Sequence, residues 1–457
     1  MTATSTEAMV PTASSPVDIS SDAKGALLAR VLDVLDREGL AYCLLHGYDE
    51  YPNRVESDVD MLMPREMLPR GLAELLRARQ QQIGARIVQW FADRQHFIVL
   101  QADDGANPPT LLQLHVSPDY EVNNRLVYSG DQILRTRRRH PQRGFWIPAP
   151  HVEFACVLAN RVVKMSIEDR HAAKLAELWT PNPQKCGDEV FRFFERAASV
   201  PIVEAGRSGD FTTLRPMLAD LRWEFLKMTI LRQPLSFISR WLGAQMRRVG
   251  RWMMPRSGMH VVFLGPDGVG KTTVIDGVRE QVAPAFLSMK YQTFARGLIN
   301  NKPKASPHAL PPRSLPASII KAAWWLLCYT AGYFASIYPT KARGGLAINH
   351  RYMADAIVDP KRYRYSGPPD LLRWIWRVCP KPDMMLFLDA PPEVIQQRKT
   401  ELPAEDVTRM RDAYRALAAE QNNARVIDTT QPIDATIAQV TNTILDFSAA
   451  RCARRFR

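Results

Sequence analysis

The stretch His260-Val261-Val262-Phe263-Leu264-Gly265-Pro266-Asp267-Gly268-Val269-Gly270-Lys271-Thr272-Thr273 decides the fold of half this chain. Its first five residues, apolar from Val261 to Leu264, form a run compact enough to read as a buried strand, and Val274 to Val282 continues at helical spacing. Between them lies GxxxxGK[ST], a Walker A phosphate loop in the strand-loop-helix setting that the pattern requires. Each residue type has a physical purpose. Glycines let the backbone wrap an anion and aim several N–H groups at it, and the helix N-terminus adds a favourable dipole. Lys271 is positioned to neutralise the β and γ phosphates of a nucleoside triphosphate, and the Thr272 hydroxyl to ligate Mg²⁺. Gly265 to Thr273 is therefore expected to bind ATP, within a parallel sheet flanked by helices.

Two later segments extend the reading. Pro382-Asp383-Met384-Met385-Leu386-Phe387-Leu388-Asp389 is a strand followed by the turn Pro391-Pro392-Glu393-Val394, and beyond it come Arg398 and Arg409-Met410-Arg411-Asp412-Ala413-Tyr414. In order and spacing these, with the loop, resemble thymidylate kinase-like proteins over about Met259 to Phe447. The resemblance implies that Arg398 belongs to a lid and stabilises charge on a phosphoryl group in transfer. It also makes Asp267 and Asp389 partners of the metal or its waters. The family's Asp-Arg-Tyr motif is matched by His350-Arg351-Tyr352, so Arg351 and Tyr352 are expected at the acceptor while the aspartate has become a histidine. A neutral imidazole does not replace a hard carboxylate near Mg²⁺; Asp355, with Asp359, is the candidate to compensate. Arg296 and the Pro-rich Pro303 to Pro316 stand where an acceptor would be cradled. An uncharged 17-residue run, Ala322 to Tyr338, follows. It is marginal for spanning a bilayer and reads as a buried or interfacial helix. With Val358 to Tyr365 and a preceding domain, it resembles a branch of the family found with bacterial cell-surface polysaccharide genes. That resemblance implies an acceptor drawn from nucleoside monophosphates, sugars and nucleotide-sugars.

The N-terminal part reads as mixed α/β: a helix from Ala23 to Glu38, strands at Ala41–Leu45 and Asp58–Met63, a helix over Met67–Arg79, and strands at Arg86–Phe91, His96–Gln101 and Thr110–Val116. Strand alternation puts Asp58 and Asp60 on one face, where two carboxylates can hold Mg²⁺. With Leu44 to Tyr48 before them they resemble a nucleotidyltransferase core. That core implies a Ser where this chain has Tyr48, and a third carboxylate where the best match, Gln113, is neutral. His115 reads as a core histidine.

At 457 residues the chain allows two or three domains. The expected division is a disordered tail over 1–22, a nucleotidyltransferase-like domain over 23–150, a helical region and linker over 151–255, and a thymidylate kinase-like domain over 256–457. Composition (46% hydrophobic, 23% charged) fits a globular protein. The net charge of +13 favours anionic partners, though no nucleic-acid reader motif is present and nucleic acid is not expected. Six scattered cysteines without a CxxC pair point to a reduced, cytoplasmic setting. The basic, aromatic-rich helix Leu221–Met254, broken at Pro234, packs on a neighbour or lies on an anionic membrane. Segments 232–254 and 322–338 are thus the candidates for peripheral contact with the membrane's inner face, and self-association stays open. The functional expectation is ATP- and Mg²⁺-dependent phosphoryl transfer to a small acceptor by Lys271, Arg351 and Arg398. The rivals are a non-catalytic nucleotide-binding regulator and an N-terminal nucleotidyltransferase regulated by the other half.

Overall fold

The computed structural model describes residues 22–232, 234–253, 257–293, 311–398 and 403–456. The N-terminal tail, Arg296 and most of the Pro-rich segment therefore lie outside the described residues. The N-terminal sheet comprises β1 (Cys43–Leu44), β2 (Val59–Leu62), β3 (Ala85–Ala92), β4 (His96–Ala102) and β5 (Leu111–Ser117) in the order β1-β2-β5-β4-β3. Only β2 and β5 pair in parallel, with Asp60 opposite His115. A hairpin of β6 (Asp119–Val122) and β7 (Arg125–Ser129) follows. Its two-residue turn places Asn123 and Asn124 at φ 47° and 69°, the left-handed geometry that asparagine tolerates and that a tight hairpin demands. A two-residue ladder joins β8 (Arg138–Arg139) to β9 (Trp146–Ile147).

Both faces of the first sheet are covered. Val59, Met61, Leu112 and Leu114 share a core with Leu28 and Val31 of the helix Ala23–Arg37. On the other face Val88, Phe97, Val99 and Leu111 are buried with Val261, Phe263, Val274 and Ile444 of the C-terminal half. Helices Pro150–Lys164, Asp169–Trp179 and Pro183–Phe193 contribute to a third core that also takes in Cys43, Leu45 and Leu62. The hydrophobic interior thus crosses position 150 without a break. The helix Leu218–Arg232 ends before Pro234, which opens the next helix, Pro234–Met253. A proline there loses no hydrogen bond, because the first N–H groups of a helix have no partner.

The C-terminal sheet holds β10 (Met259–Leu264), β11 (Met289–Thr293), β12 (Leu346–His350), β13 (Met384–Asp389) and β14 (Ala424–Asp428) in the order β11-β12-β10-β13-β14. All neighbours are parallel. Every residue of β10 and β13 is buried, as expected of strands covered on both faces. The chain builds to one side of β10 through β11 and β12, then crosses to β13 and β14 on the other. The C-terminal end of β10 is therefore a topological switch point, where crossovers leave a crevice.

Helix Ile433–Arg455 packs on both β3 and the helix Lys271–Val282. Arg77 donates to the carbonyls of Cys452, Ala453 and Phe456 at 3.0–3.3 Å, and the Phe456 ring lies 4.8 Å from Trp90. The apolar run forms the helix Leu315–Gly332, which continues through a π-helical turn, Tyr333–Ile337, into Tyr338–Ala342. Ala322, Trp325 and Tyr329 are buried against Tyr352 and Trp376. Among the described residues no helix is long and apolar enough to cross a membrane.

Gly258 sets where β10 begins, because a β-carbon there would lie 2.3 Å from the Lys341 carbonyl oxygen and 2.7 Å from that of Gly345. Backbone cannot yield as a flexible side chain can. Gly258→Ala is expected to cost about 1–3 kcal/mol and to lower the thermal unfolding midpoint; an unchanged midpoint would contradict this account of the strand's entry.

Candidate phosphate-binding site

The loop lies where β10 ends, and its glycines are required for two different reasons. Gly265 has φ +142° and passes so close to β13 that a β-carbon would meet the Leu388 carbonyl oxygen at 2.5 Å. Gly270 has open space around it but φ +95°, a conformation that side chains resist. Lys271 is the first residue of the following helix and reaches back across the loop. Its Nζ donates to the carbonyls of Gly265 (2.8 Å) and Pro266 (2.7 Å) and lies 3.7 Å from Asp267. Thr272 and Thr273 are exposed at the helix start.

Because the sheet is parallel, the ends of β12 and β13 open onto the same crevice. Arg351 follows β12 directly with φ +75°, a left-handed turn that costs a non-glycine residue on the order of 1–3 kcal/mol. Its backbone N–H donates to the Phe263 carbonyl at 3.0 Å, and its guanidinium pairs with Asp267 and, at 3.4 Å, with Asp355. Arg362 pairs with the other Asp267 oxygen. One carboxylate is thus surrounded by three cations: Lys271, Arg351 and Arg362.

These contacts govern protonation. Burial works to raise the Asp267 pKa, but Arg351, Lys271 and Arg362 outweigh it and hold the carboxyl well below the usual range. Burial lowers the Lys271 ammonium to about 7, with Arg351 pushing the same way against Asp267. Burial, followed by Lys271 and Arg351, lowers His350 to about 3, so its imidazole is neutral. Its Nδ1 lies 3.3 Å from the Tyr291 hydroxyl, and its buried Nε2 has no partner among the described residues.

The remaining sequence candidates divide. Asp355 is fully buried and accepts from Tyr414 at 2.6 Å, so it props Arg351 from behind rather than meeting an acceptor. Tyr352 is likewise buried, its hydroxyl donating to the Pro380 carbonyl at 2.6 Å. Asp389 stands at the end of β13, but Arg411 (2.7 and 3.1 Å) and Arg415 (3.1 and 2.5 Å) occupy its two oxygens, leaving it poorly placed as a metal ligand. Arg398 donates to the Thr429 carbonyl at 2.9 Å, beside the end of β14 rather than in the loop. Arg362, Arg411 and Arg415 are the further cations at the ends of β10 and β13. Arg362 and Arg411 stood inside the segments Val358–Tyr365 and Arg409–Tyr414 without a role of their own, and Arg415 stood outside any such segment. The signal for Arg362 was the cluster Lys361-Arg362-Tyr363-Arg364 just after Asp359.

A second cluster lies in the N-terminal half, on the sheet face that meets the C-terminal half. Asp58, Asp60 and His115 present ligand atoms within 4.8 Å of one another. His115 Nδ1 is 2.8 Å from Asp58, and His46 Nε2 is 3.2 Å from Asp60. The third group is therefore His115, not Gln113, whose amide donates to the Pro284 carbonyl at 2.7 Å. Tyr48, in place of the expected serine, is buried and donates to Glu153 at 2.5 Å. His115 also lines a cavity of about 400 Å³ with Phe97, Arg94, Glu121 and Leu287.

No family model matches the sequence. Among solved structures, a thymidylate kinase from Ehrlichia chaffeensis aligns with 41% of this chain and 99% of its own, at 16% identity and a TM-score of 0.32. The likeness is weak, and the assignment of the crevice rests on the loop, the strand order and the converging cations.

A Lys271 amine near 7 gives binding a proton signature. A polyphosphate favours the ammonium form, so complex formation above about pH 7 takes up a proton, and affinity falls as pH rises toward the ordinary lysine range. Calorimetry of ATP binding at about pH 8 in buffers of different ionisation enthalpy should show that uptake, and Lys271→Arg should remove it. Equal heats in all buffers would contradict the buried amine.

Proposed function

We propose that the C-terminal half is an ATP-dependent phosphotransferase acting on a small acceptor. The observation that carries this reading is the convergence of Lys271, Arg351 and Arg362 at the mouth of a phosphate loop, at the switch point of a parallel sheet. The two guanidiniums and the Lys271 amine, set against Asp267 and Asp355, form a site complementary to a polyanion, and burial strengthens the attraction. Binding of ATP would draw Lys271 off the loop carbonyls and onto the β and γ phosphates, and would compete with Asp267 for both guanidiniums. Mg²⁺, if used, fits at the Thr272 hydroxyl with nucleotide oxygens and water completing its shell, an arrangement that suits this ion. Asp389, held by two arginines, does not serve it.

The γ-phosphoryl group passes to an acceptor oxygen and ADP leaves. At neutral pH a histidine titrating near 3 is a poor proton acceptor, so His350 is not a general base. An acceptor oxygen that is already ionised, such as that of a phosphate monoester, needs none and suits Arg351 and Arg362. This supports a phosphate-bearing acceptor, nucleoside monophosphate or sugar phosphate, over a neutral sugar.

A second reading is favoured by the Asp58–Asp60–His115 cluster: a metal-dependent activity of the N-terminal half, as in a nucleotidyltransferase. The imidazole donor from His115 beside Asp58 and Asp60 fits a transition-metal dication better than Mg²⁺, so no Mg²⁺-dependent step is drawn there.

Transfer from ATP to a panel of phosphate-bearing and neutral acceptors separates the readings. Lys271→Ala and Arg351→Ala should each reduce turnover by about 10²–10³-fold, while Asp58→Asn with Asp60→Asn leaves it unaltered. Tight ATP binding without transfer to any acceptor would sink the phosphotransferase.

A further inference from the structure

The helix Pro234–Met253 is folded inside out. Its twenty residues span about 30 Å, and none is buried. The face turned to the protein carries Phe237, Arg240, Arg247 and Arg251. Arg240 pairs with Asp119 and Glu121, Arg251 lies 2.6 Å from Asp93, and Arg247 3.5 Å from it. Phe237 lies under the Arg125 guanidinium at 5.2 Å. The opposite face carries Leu235, Ile238, Leu242, Met246, Val249 and Met253, spaced by three and four so that all six share one stripe. All are exposed, Leu235 by 81%, Met246 by 74% and Met253 by 73%. An ordinary surface helix does the reverse, and a continuous apolar strip this long is not left facing water without an occupant.

The strip does not stop at the end of the helix. Trp252 lies against Tyr338 (5.8 Å), and Tyr338 against Phe334 (6.0 Å). From Phe334 the exposed Leu327, Trp324 and Ile320 continue along the helix Leu315–Gly332 at helical spacing. Two elements far apart in sequence thus contribute to one apolar band, with two tryptophans in it.

The charge around the band identifies its occupant. No Asp or Glu occurs between Glu224 and Asp267, while Lys227, Arg232, Arg240, Arg247, Arg248, Arg251 and Arg256 do. None occurs between Glu280 and Asp355 either. The two acid-free segments are the ones that present the band. Arg240, Arg247 and Arg251 turn inward onto Asp119, Glu121 and Asp93, but Arg248 stays exposed beside the strip and neither segment supplies a carboxylate along it. An anionic lipid surface therefore complements the band, whereas a second copy of it offers that cation no opposite charge. We propose that this band is a docking surface for an anionic bilayer leaflet, on which the two helices lie in the interface without crossing it.

The test is flotation of the full-length protein with phosphatidylcholine vesicles, with and without phosphatidylglycerol. The protein should float with the anionic vesicles, less with neutral ones, and less as salt is raised. Leu242→Glu with Met246→Glu should reduce partitioning at least about tenfold without altering ATP binding or the melting midpoint, since both side chains are exposed. Arg248→Glu, which leaves the apolar strip intact, should weaken binding to the anionic vesicles alone. The proposal fails if the wild type does not float, if the double variant floats equally well, or if light scattering shows a dimer that the same double variant dissolves.

Discussion

The carboxylate of Asp267 organises the C-terminal site. It lies in the loop between the two glycines that shape it, and it is bound at once by Lys271 from the same helix start, Arg351 from the end of β12 and Arg362 from the segment beyond. Three buried or half-buried cations would otherwise repel one another in a poorly solvating crevice. Asp267 holds them in place, yet with a single charge it leaves the site electropositive. The same arrangement explains how Arg351 persists in a left-handed conformation: its backbone is tied to β10 and its guanidinium is fixed from two sides by Asp267 and Asp355. Tyr414 braces Asp355 from behind, and Asp355 in turn supports Arg351, whereas the Tyr352 hydroxyl is turned to the Pro380 carbonyl.

The loop was legible because its information is local. Glycines, lysine and threonine at fixed offsets between an apolar strand and an amphipathic helix describe one continuous backbone path, and β10, β12 and β13 follow from runs of buried residues. The edge strands β11 and β14 are largely exposed or half-buried and carry no such run. The partners of the loop were harder to read. Arg362 is 95 residues from Asp267, and Arg415 is 26 from Asp389. Both approach through crossovers whose course no local period encodes. Asp389 and Asp355 look identical in sequence to free carboxylates, and only the arginines and tyrosine brought against them decide their roles.

The N-terminal cluster shows the same division. Alternation correctly puts Asp58 and Asp60 on one face, and Gln113 and His115 share the facing side of β5. Which of those two stands level with Asp60 depends on the parallel register of β2 and β5, and that register brings His115 into place. The inside-out helix is a third case: its period was plain, but which stripe faces the protein is fixed by Asp93, Asp119 and Glu121, residues remote in sequence.

Shared packing joins these parts. One face of the first sheet and the loop-bearing half form a single core, with helix Ile433–Arg455 lying against both. The His115 cavity borders that seam through Leu287. The claim on which the rest depends is that the crevice around Asp267 takes the phosphates of a nucleotide. A crystal structure with a non-hydrolysable ATP analogue tests it most directly. The account predicts phosphates in the Gly265–Gly270 loop, with Lys271 moved from the Gly265 and Pro266 carbonyls onto them and Arg351 or Arg362 turned from Asp267. An analogue bound elsewhere, with Lys271 still on those carbonyls, would contradict it.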